Sequence, residues 1–177
     1  MSGHNKWSKI KNKKGAEDAK KSNVFSKLSR VITAESKKCN GDVSSPSLAT
    51  IIETAKKENM PKDTIERAVK KGTDRNTAAL EPVTYEAYGP GGVAIVIDAL
   101  TDNKNRTVAE VKHILSDKCG AELAAIGSAS WAFKHEGRKY VATTTVSVNE
   151  EDGNKLNDLV DALDALEDVQ EVFTNAE

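Results

Sequence analysis

Apolar residues along this chain follow a helical period in the first half and a strand period in the second. Val24, Phe25, Leu28, Val31 and Ile32 recur at the spacing of a single helical stripe. Arg30 and Lys37 point away from that stripe and Lys27 lies on its flank. The helix is expected to end near Cys39-Asn40-Gly41, where Asn or Gly suits a left-handed cap. Ser45 and Pro46 begin a second helix, Ser as N-cap and Pro in the first turn, with Leu48, Ile51, Ile52 and Ala55 as its apolar face. A third starts at Pro61, turns Ile65, Ala68 and Val69 inward, and is expected to stop at Gly72. Asp63–Arg67 and Glu66–Lys70 stand at i, i+4 on its surface as favourable pairs. Together these predict a three-helix domain over 15–72. Residues 73–82 are polar, aperiodic and end in Pro, which predicts a linker.

From Val83 the period changes. VTYEAY (83–88), then Gly89-Pro90-Gly91-Gly92, then VAIVIDAL (93–100) read as two strands around a turn. The second run is apolar on both faces and predicts a central strand covered on both sides. Residues 101–107 form a polar loop opening a helix with Val108, Val111, Ile114 and Leu115 on one side, closed at Cys119-Gly120. Strands are expected over 121–134 and 138–148. A last helix with Leu156, Leu159, Val160, Leu163 and Leu166 inward leads to a final strand, 169–174. The fold class expected is α+β: an amino-terminal helical domain, then a β-α-β-β-α-β domain of ferredoxin-like type over 83–177.

Charge changes this picture at one end. Over 1–80, eighteen Lys/Arg face nine Asp/Glu, a net +9; over 81–177, eight face eighteen, a net −10. The overall −1 conceals that polarity. Residues 1–14 hold Ser, Gly, Asn and Lys with almost nothing apolar and predict a basic, flexible arm feeding a basic helix. Lys6, Lys9, Lys11, Lys13, Lys14, Lys20, Lys21, Lys27 and Arg30 are the candidate nucleic-acid contacts. Lysines on long stems neutralise phosphates rather than read bases, so binding is expected to be salt-dependent and weak in sequence preference. Trp7, inside the basic run, either stacks on an unpaired base or anchors the arm to the helical domain. The alternatives are a solubility tail for the lysines and a docking role for the acidic half.

Other chemistry finds less support. Cys39 and Cys119 are far apart and outside any metal-like spacing, and read as free thiols of a reducing compartment. His4, His113 and His135 have no ligand neighbours at metal-binding spacing, so neither a metal nor a cofactor is expected. Gly127-Ser128-Ala129-Ser130-Trp131 departs from a nucleophile elbow, since Trp replaces the last Gly, and no enzyme is expected. No apolar run reaches membrane-spanning length, and the amino terminus lacks the apolar core of a secretory signal. A cytoplasmic protein without a membrane partner is expected. Gly89, Pro90, Gly91 and Gly92 could offer backbone N–H groups to a phosphate, although a turn requiring positive φ is the favoured reading. Asn103, Asn105 and Arg106, in the loop after the central strand, are either turn and capping residues, with Asn105 or Asp102 as cap, or a second contact loop.

Several stretches carry a family resemblance: GHNKWSKIKNKK, Phe25-Ser26-Lys27-Leu28, NMPKDTIERAVKKG (59–72), YEAYGPGGVAIVIDALTDNKNRTVAEV (85–111), GSASWAF (127–133) and VQEVFTNAE. The chain resembles the YebC/PmpR family over nearly its whole length. The resemblance implies a helical amino-terminal domain with α+β domains behind it. It also implies regulation of gene expression, either in transcription through DNA or as a translational activator on ribosomes and their RNA. Members usually carry a further α+β domain between the strand after GSASWAF and the strand before the last helix; here Arg138–Val148 is expected to join the two directly. A protein-interaction module is the alternative from another class. DNA against ribosomal RNA, target genes and oligomeric state are not legible in the sequence.

Overall fold

The computed structural model describes residues 14–137 and 139–177, with side chains from Lys21 onward. The chain divides into a helical unit, Lys14–Glu81, and an α/β unit made of Pro82–Ala99 and Asn103–Glu177.

The helical unit holds α1 (Lys14–Lys38), α2 (Pro46–Lys57) and α3 (Lys62–Thr73). Ile32, Leu48, Ile51, Ala55, Met60, Ile65 and Ala68 form its core, with Phe25, Leu28 and Val31 packed against it. Enclosing a side chain the size of Ile32 or Leu48 contributes about 1.5–3 kcal/mol each. α1 ends as its sequence predicts, in left-handed Asn40 (φ 51°) and Gly41 (φ 79°). Pro46 opens α2, but the Ser45 hydroxyl faces Ser47 at 3.3 Å instead of capping the helix.

Gly72 departs from expectation. It does not stop α3 but lies buried within it, against α1. A Cβ there would stand 2.5 Å from the Thr33 carbonyl oxygen and 2.6 Å from Ser36 Cβ. The missing side chain lets the two helices approach until Thr33 and Ser36 hydroxyls donate to the carbonyls of Ala68 (3.2 Å) and Val69 (2.7 Å).

The α/β unit contains β1 (Glu81–Tyr88), β2 (Ala94–Thr101), α4 (Lys104–Cys119), β3 (Phe133–Glu136), β4 (Lys139–Ala142), α5 (Glu150–Asp164) and β5 (Val169–Thr174). Beyond β1 the order is the expected β-α-β-β-α-β. One sheet runs β1-β2-β5, with β2 and β5 antiparallel; β3 and β4 form a separate antiparallel hairpin. The two faces of β2 are both covered, which explains its continuous apolar run. Val93, Ile95 and Ile97 join Val111 and Leu115 of α4 and Leu156, Leu159 and Leu163 of α5 in the main core. On the other face Ala94 and Val96 pack with Phe133, Phe173 and Tyr140, where hairpin meets sheet. The Tyr140 ring stands 6.1 Å from Phe133 and 5.3 Å from Phe173 between centroids.

Two expected strands are much shorter than predicted. Between α4 and β3, Leu123 makes one isolated bridge to Ala87, and a 3-10 turn at Ser130–Ala132 precedes β3. Three backbone N–H groups of that segment, those of Gly127, Ala129 and Ser130, go to a buried carboxylate, described below, rather than to a strand. β4 ends at Ala142: the Thr143 N–H still donates in register to the Ala132 carbonyl at 2.8 Å, but the Thr144 N–H goes to that same oxygen at 3.3 Å instead of extending the ladder. No described helix is long and apolar enough to cross a membrane.

Candidate nucleic-acid interface

Of the candidate basic contacts, Lys6, Trp7, Lys9, Lys11 and Lys13 lie outside the described residues, and Lys14 and Lys20 fall in the first turns of α1. Lys21 is exposed, its ammonium 5.8 Å from the centroid of the Phe25 ring, four residues on. Lys27 and Arg30 are half-buried, and each already holds a polar or electrostatic partner. Lys37 turns back within the unit and donates to the Thr77 carbonyl.

α3 presents cations that the sequence analysis did not single out. The expected Asp63–Arg67 and Glu66–Lys70 ion pairs do not form. Glu66 pairs back with Lys62 at 3.6 Å. Arg67 donates instead to the Asp63 carbonyl and to Thr64 Oγ1, both at 3.2 Å. Lys70, Lys71 and Arg75 are exposed and, among the described residues, have no carboxylate within ion-pair distance. The i, i+4 rule assigns Lys70 to Glu66 and so conceals it.

The second candidate set separates into two places. Gly89–Gly92 precedes β2 and Asn103–Arg106 follows it, so the two groups sit at opposite ends of a strand roughly 23 Å long. In the glycine loop, Gly89 N–H donates to Val93 O (2.8 Å) and Gly92 N–H to Gly89 O (3.1 Å), as in a turn. Gly91 (φ 71°) and Gly92 (φ 76°) adopt the positive φ such a turn needs. Gly89 also lies close to α5 and β2: a Cβ would be 2.8 Å from Ile95 Cδ1 and 3.3 Å from Leu156 Cδ1.

At the other end, Asn103, and not Asn105 or Asp102, caps α4. Its side chain accepts from the N–H groups of Asn105 and Arg106, each at 3.1 Å. Arg106 turns to Asp168, Nη2 to Oδ2 at 2.7 Å, and Thr107 Oγ1 donates to the same oxygen at 2.6 Å. Asp168 is 3% exposed, so the loop is bolted to the start of β5 by one enclosed carboxylate.

Glu86 plays the corresponding part on β1. Its carboxylate accepts from the N–H groups of Gly127 (2.8 Å), Ala129 (2.7 Å) and Ser130 (2.8 Å). Burial pushes its pKa up, but these three donors together with a Ser130 side-chain contact prevail and hold it below the ordinary 4.5. The turn so fixed carries Trp131, whose Nε1 donates to Tyr88 Oη at 3.1 Å, while Tyr88 donates to the Ser128 carbonyl. Trp131 nevertheless stays 59% exposed, and nearby Ile126 is 94% exposed. The signal for Glu86 is an acid set between Tyr85 and Ala87 near the end of β1, and its donors come from the small-residue loop of GSASWAF. Among the described residues no group of His, Cys, Asp and Glu is arranged to hold a metal ion.

Comparison with known proteins gives this geometry a context. Residues 5–75 match the TACO1/YebC protein N-terminal domain, and residues 80–144 and 136–176 match the TACO1/YebC second and third domain. The chain belongs to the TACO1/YebC family. It is 55% identical over 139 residues to a probable transcriptional regulatory protein of Petrotoga mobilis, covering 77% of this chain and 55% of that protein. A protein of Desulfatibacillum aliphaticivorans with the same description is 51% identical over 154 residues, 86% of this chain and 61% of the relative. One from Desulfosudis oleivorans is 43% identical over 184 aligned positions, 97% of this chain and 74% of the relative. The chain thus spans little more than half the length of the first two. A crystal structure of a conserved hypothetical protein from Aquifex aeolicus superposes with a TM-score of 0.82 at 31% identity, over 97% of this chain and 96% of that one. These three TACO1/YebC relatives share one description, probable transcriptional regulatory protein. The split in the TACO1/YebC second-and-third-domain match, between 136 and 144, falls on the β3–β4 hairpin.

Proposed function

We propose that this chain regulates gene expression by binding DNA through its basic amino-terminal region. The segregation of charge carries the reading: a net +9 over residues 1–80 against −10 over 81–177. A polyanion is attracted to the first and repelled by the second, so binding is confined to one end of the chain. The descriptions of the relatives as transcriptional regulators point the same way. We also take the chain to be a shortened member of its family, supported by the split match at the β3–β4 hairpin and by the greater length of the first relatives.

A second reading, a translational activator on the ribosome and its RNA, is favoured by the exposed Trp131 and Ile126. Both stand on an acidic unit that repels phosphate and suits a protein surface. Salt-titrated binding of the purified chain to duplex DNA, structured ribosomal RNA and whole ribosomes separates the two. Tighter binding to DNA with target preference over competitor supports transcription. Preference for ribosomes or ribosomal RNA that persists as salt rises supports translation. Absence of binding to all three at physiological salt ends the nucleic-acid reading. The Lys11→Glu, Lys13→Glu, Lys14→Glu, Lys20→Glu variant then tests the arm.

A further inference from the structure

At the outward end of α3, cations gather that form no ion pair with a described carboxylate. Arg67, Lys70 and Lys71 stand at i, i+3 and i+4, one helix face opposite the buried Ile65, Ala68 and Gly72. Arg75 follows in a turn that its neighbours lock in place. Asp74 Oδ1 accepts from the Asn76 N–H at 2.9 Å, and Thr77 Oγ1 donates to the Lys71 carbonyl at 2.8 Å. Lys37 of α1 fastens the same turn by donating to the Thr77 carbonyl.

Lysines near a helix carboxyl end often serve the helix itself, by bonding its last carbonyls and complementing its dipole. Here that task is already taken. The Lys70 carbonyl accepts from Thr73 Oγ1 at 2.8 Å, and the Lys71 carbonyl from Thr77 Oγ1 and the Asp74 N–H. Of the nearby acids, Glu66 is engaged by Lys62 and Asp74 by the Asn76 N–H, while Asp63 has no cation within ion-pair distance. The ammonium groups of Lys70 and Lys71 and the Arg75 guanidinium therefore project from a rigid corner with no carboxylate partner among the described residues.

We infer that Lys70, Lys71 and Arg75, flanked by Arg67, form a phosphate-tracking surface that grips a nucleic-acid backbone alongside the amino-terminal arm. The inference deepens the proposed function and rests on it. A rigid basic corner loses less conformational freedom per contact than a lysine-rich arm, so it fixes the register of the backbone while the arm adds charge. Three phosphate contacts contribute about 0.9 each to the slope of log K against log salt on duplex DNA, and about 0.7 each on single strands.

The test measures that slope for the full chain with a 30-base-pair DNA duplex and with a structured ribosomal RNA fragment. The K70E/K71E/R75E variant is compared with K56E/K62E, which alters cations that already hold Glu53 and Glu66. The expected result is a slope shallower by about 2–3 and at least tenfold weaker binding for the triple variant, with a smaller change in the control. The neutral K70A/K71A/R75A variant should show the same loss of slope with unchanged helical circular dichroism. A triple variant that binds like K56E/K62E on both probes, while the arm variant fails, overturns the α3 surface and leaves the arm reading standing. A wild-type chain that binds neither probe overturns both.

Discussion

In the α/β unit the acids Glu86 and Asp168 face inward, each enclosed by donors of its own chain, whereas Lys70, Lys71 and Arg75 of the helical unit are exposed, with no ion pair among the described residues. Glu86, Lys70 and Lys71 all lie in stretches that carry the family resemblance, so a shared motif alone does not distinguish scaffold from contact surface. The distinction lies in whether a charge finds its partner within the fold. A buried carboxylate with three N–H donors is a structural joint, and its loss is felt as stability. An exposed cation with a capped helix behind it is free for another molecule, and its loss is felt in binding. Arg106 belongs to the first kind despite its exposure, because Asp168 holds it.

The largest test of this contrast is Glu86→Ala. It leaves the N–H groups of Gly127, Ala129 and Ser130 without their acceptor and should cost about 3 kcal/mol in urea denaturation. Trp131 fluorescence should shift, as its turn loses its tie. Asp168→Ala should cost about 1–2 kcal/mol from the loss of two bonds to one enclosed carboxylate. The Thr107 hydroxyl keeps the Asn103 carbonyl at 3.1 Å as an acceptor, and Arg106 is 43% exposed, so water recovers part of its loss. An Asp168 variant as stable as wild type would show that the enclosed carboxylate is not a joint. Gly72→Ala should cost about 1–2 kcal/mol: the better helix propensity of Ala is outweighed by a Cβ 2.5 Å from the Thr33 carbonyl.

Acid sharpens the same contrast. The Glu86 carboxyl titrates below 4.5 in the fold, so its stabilisation is complete above that pH and is lost as pH falls through the lower folded value. Glu86→Gln should flatten that limb of the stability profile. Asp98 on β2 is the opposite case: burial raises its pKa above 3.8, despite a Thr84 hydrogen bond and the nearby His135. Its ionisation therefore destabilises the fold as pH rises through that shifted value, and Asp98→Asn should remove the effect. The smallest change is expected at the surface. K70E/K71E/R75E should alter stability by less than about 0.5 kcal/mol, and a larger loss would assign those residues to the scaffold after all.

The helices were legible because their stripes are long and the α1 and α4 stops are unambiguous, at Asn40-Gly41 and at Gly120 (φ 63°). Gly72 was misread since a glycine at a close helix crossing and a glycine at a helix stop look alike in one dimension. β2 could be read from its apolar run, but the hairpin separated from the main sheet could not. Pattern gives the number of strands more readily than their partners. The region 121–129 reads as strand because its residues are small and apolar, yet Glu86, some forty residues earlier, takes its N–H groups. Of the candidate interface, the charge polarity was plain in composition. Lys70 was hidden by a pairing rule that holds for isolated helices, and Glu66 chose Lys62 instead.

The β3–β4 ladder runs from Phe133 paired with Ala142 out to Glu136 paired with Lys139, and the Tyr140 ring between Phe133 and Phe173 fastens its base to the sheet. Among the described residues at that tip, Glu136 and Lys139 hold only exposed ion pairs, with Lys134 and with Glu171 of β5, which contribute little to stability. Such a tip is a socket for evolutionary tinkering: a module can be grafted there or pruned away while the body beneath keeps its shape. On the shortened reading proposed above, gain or loss of a segment there need not pass through a misfolded ancestor.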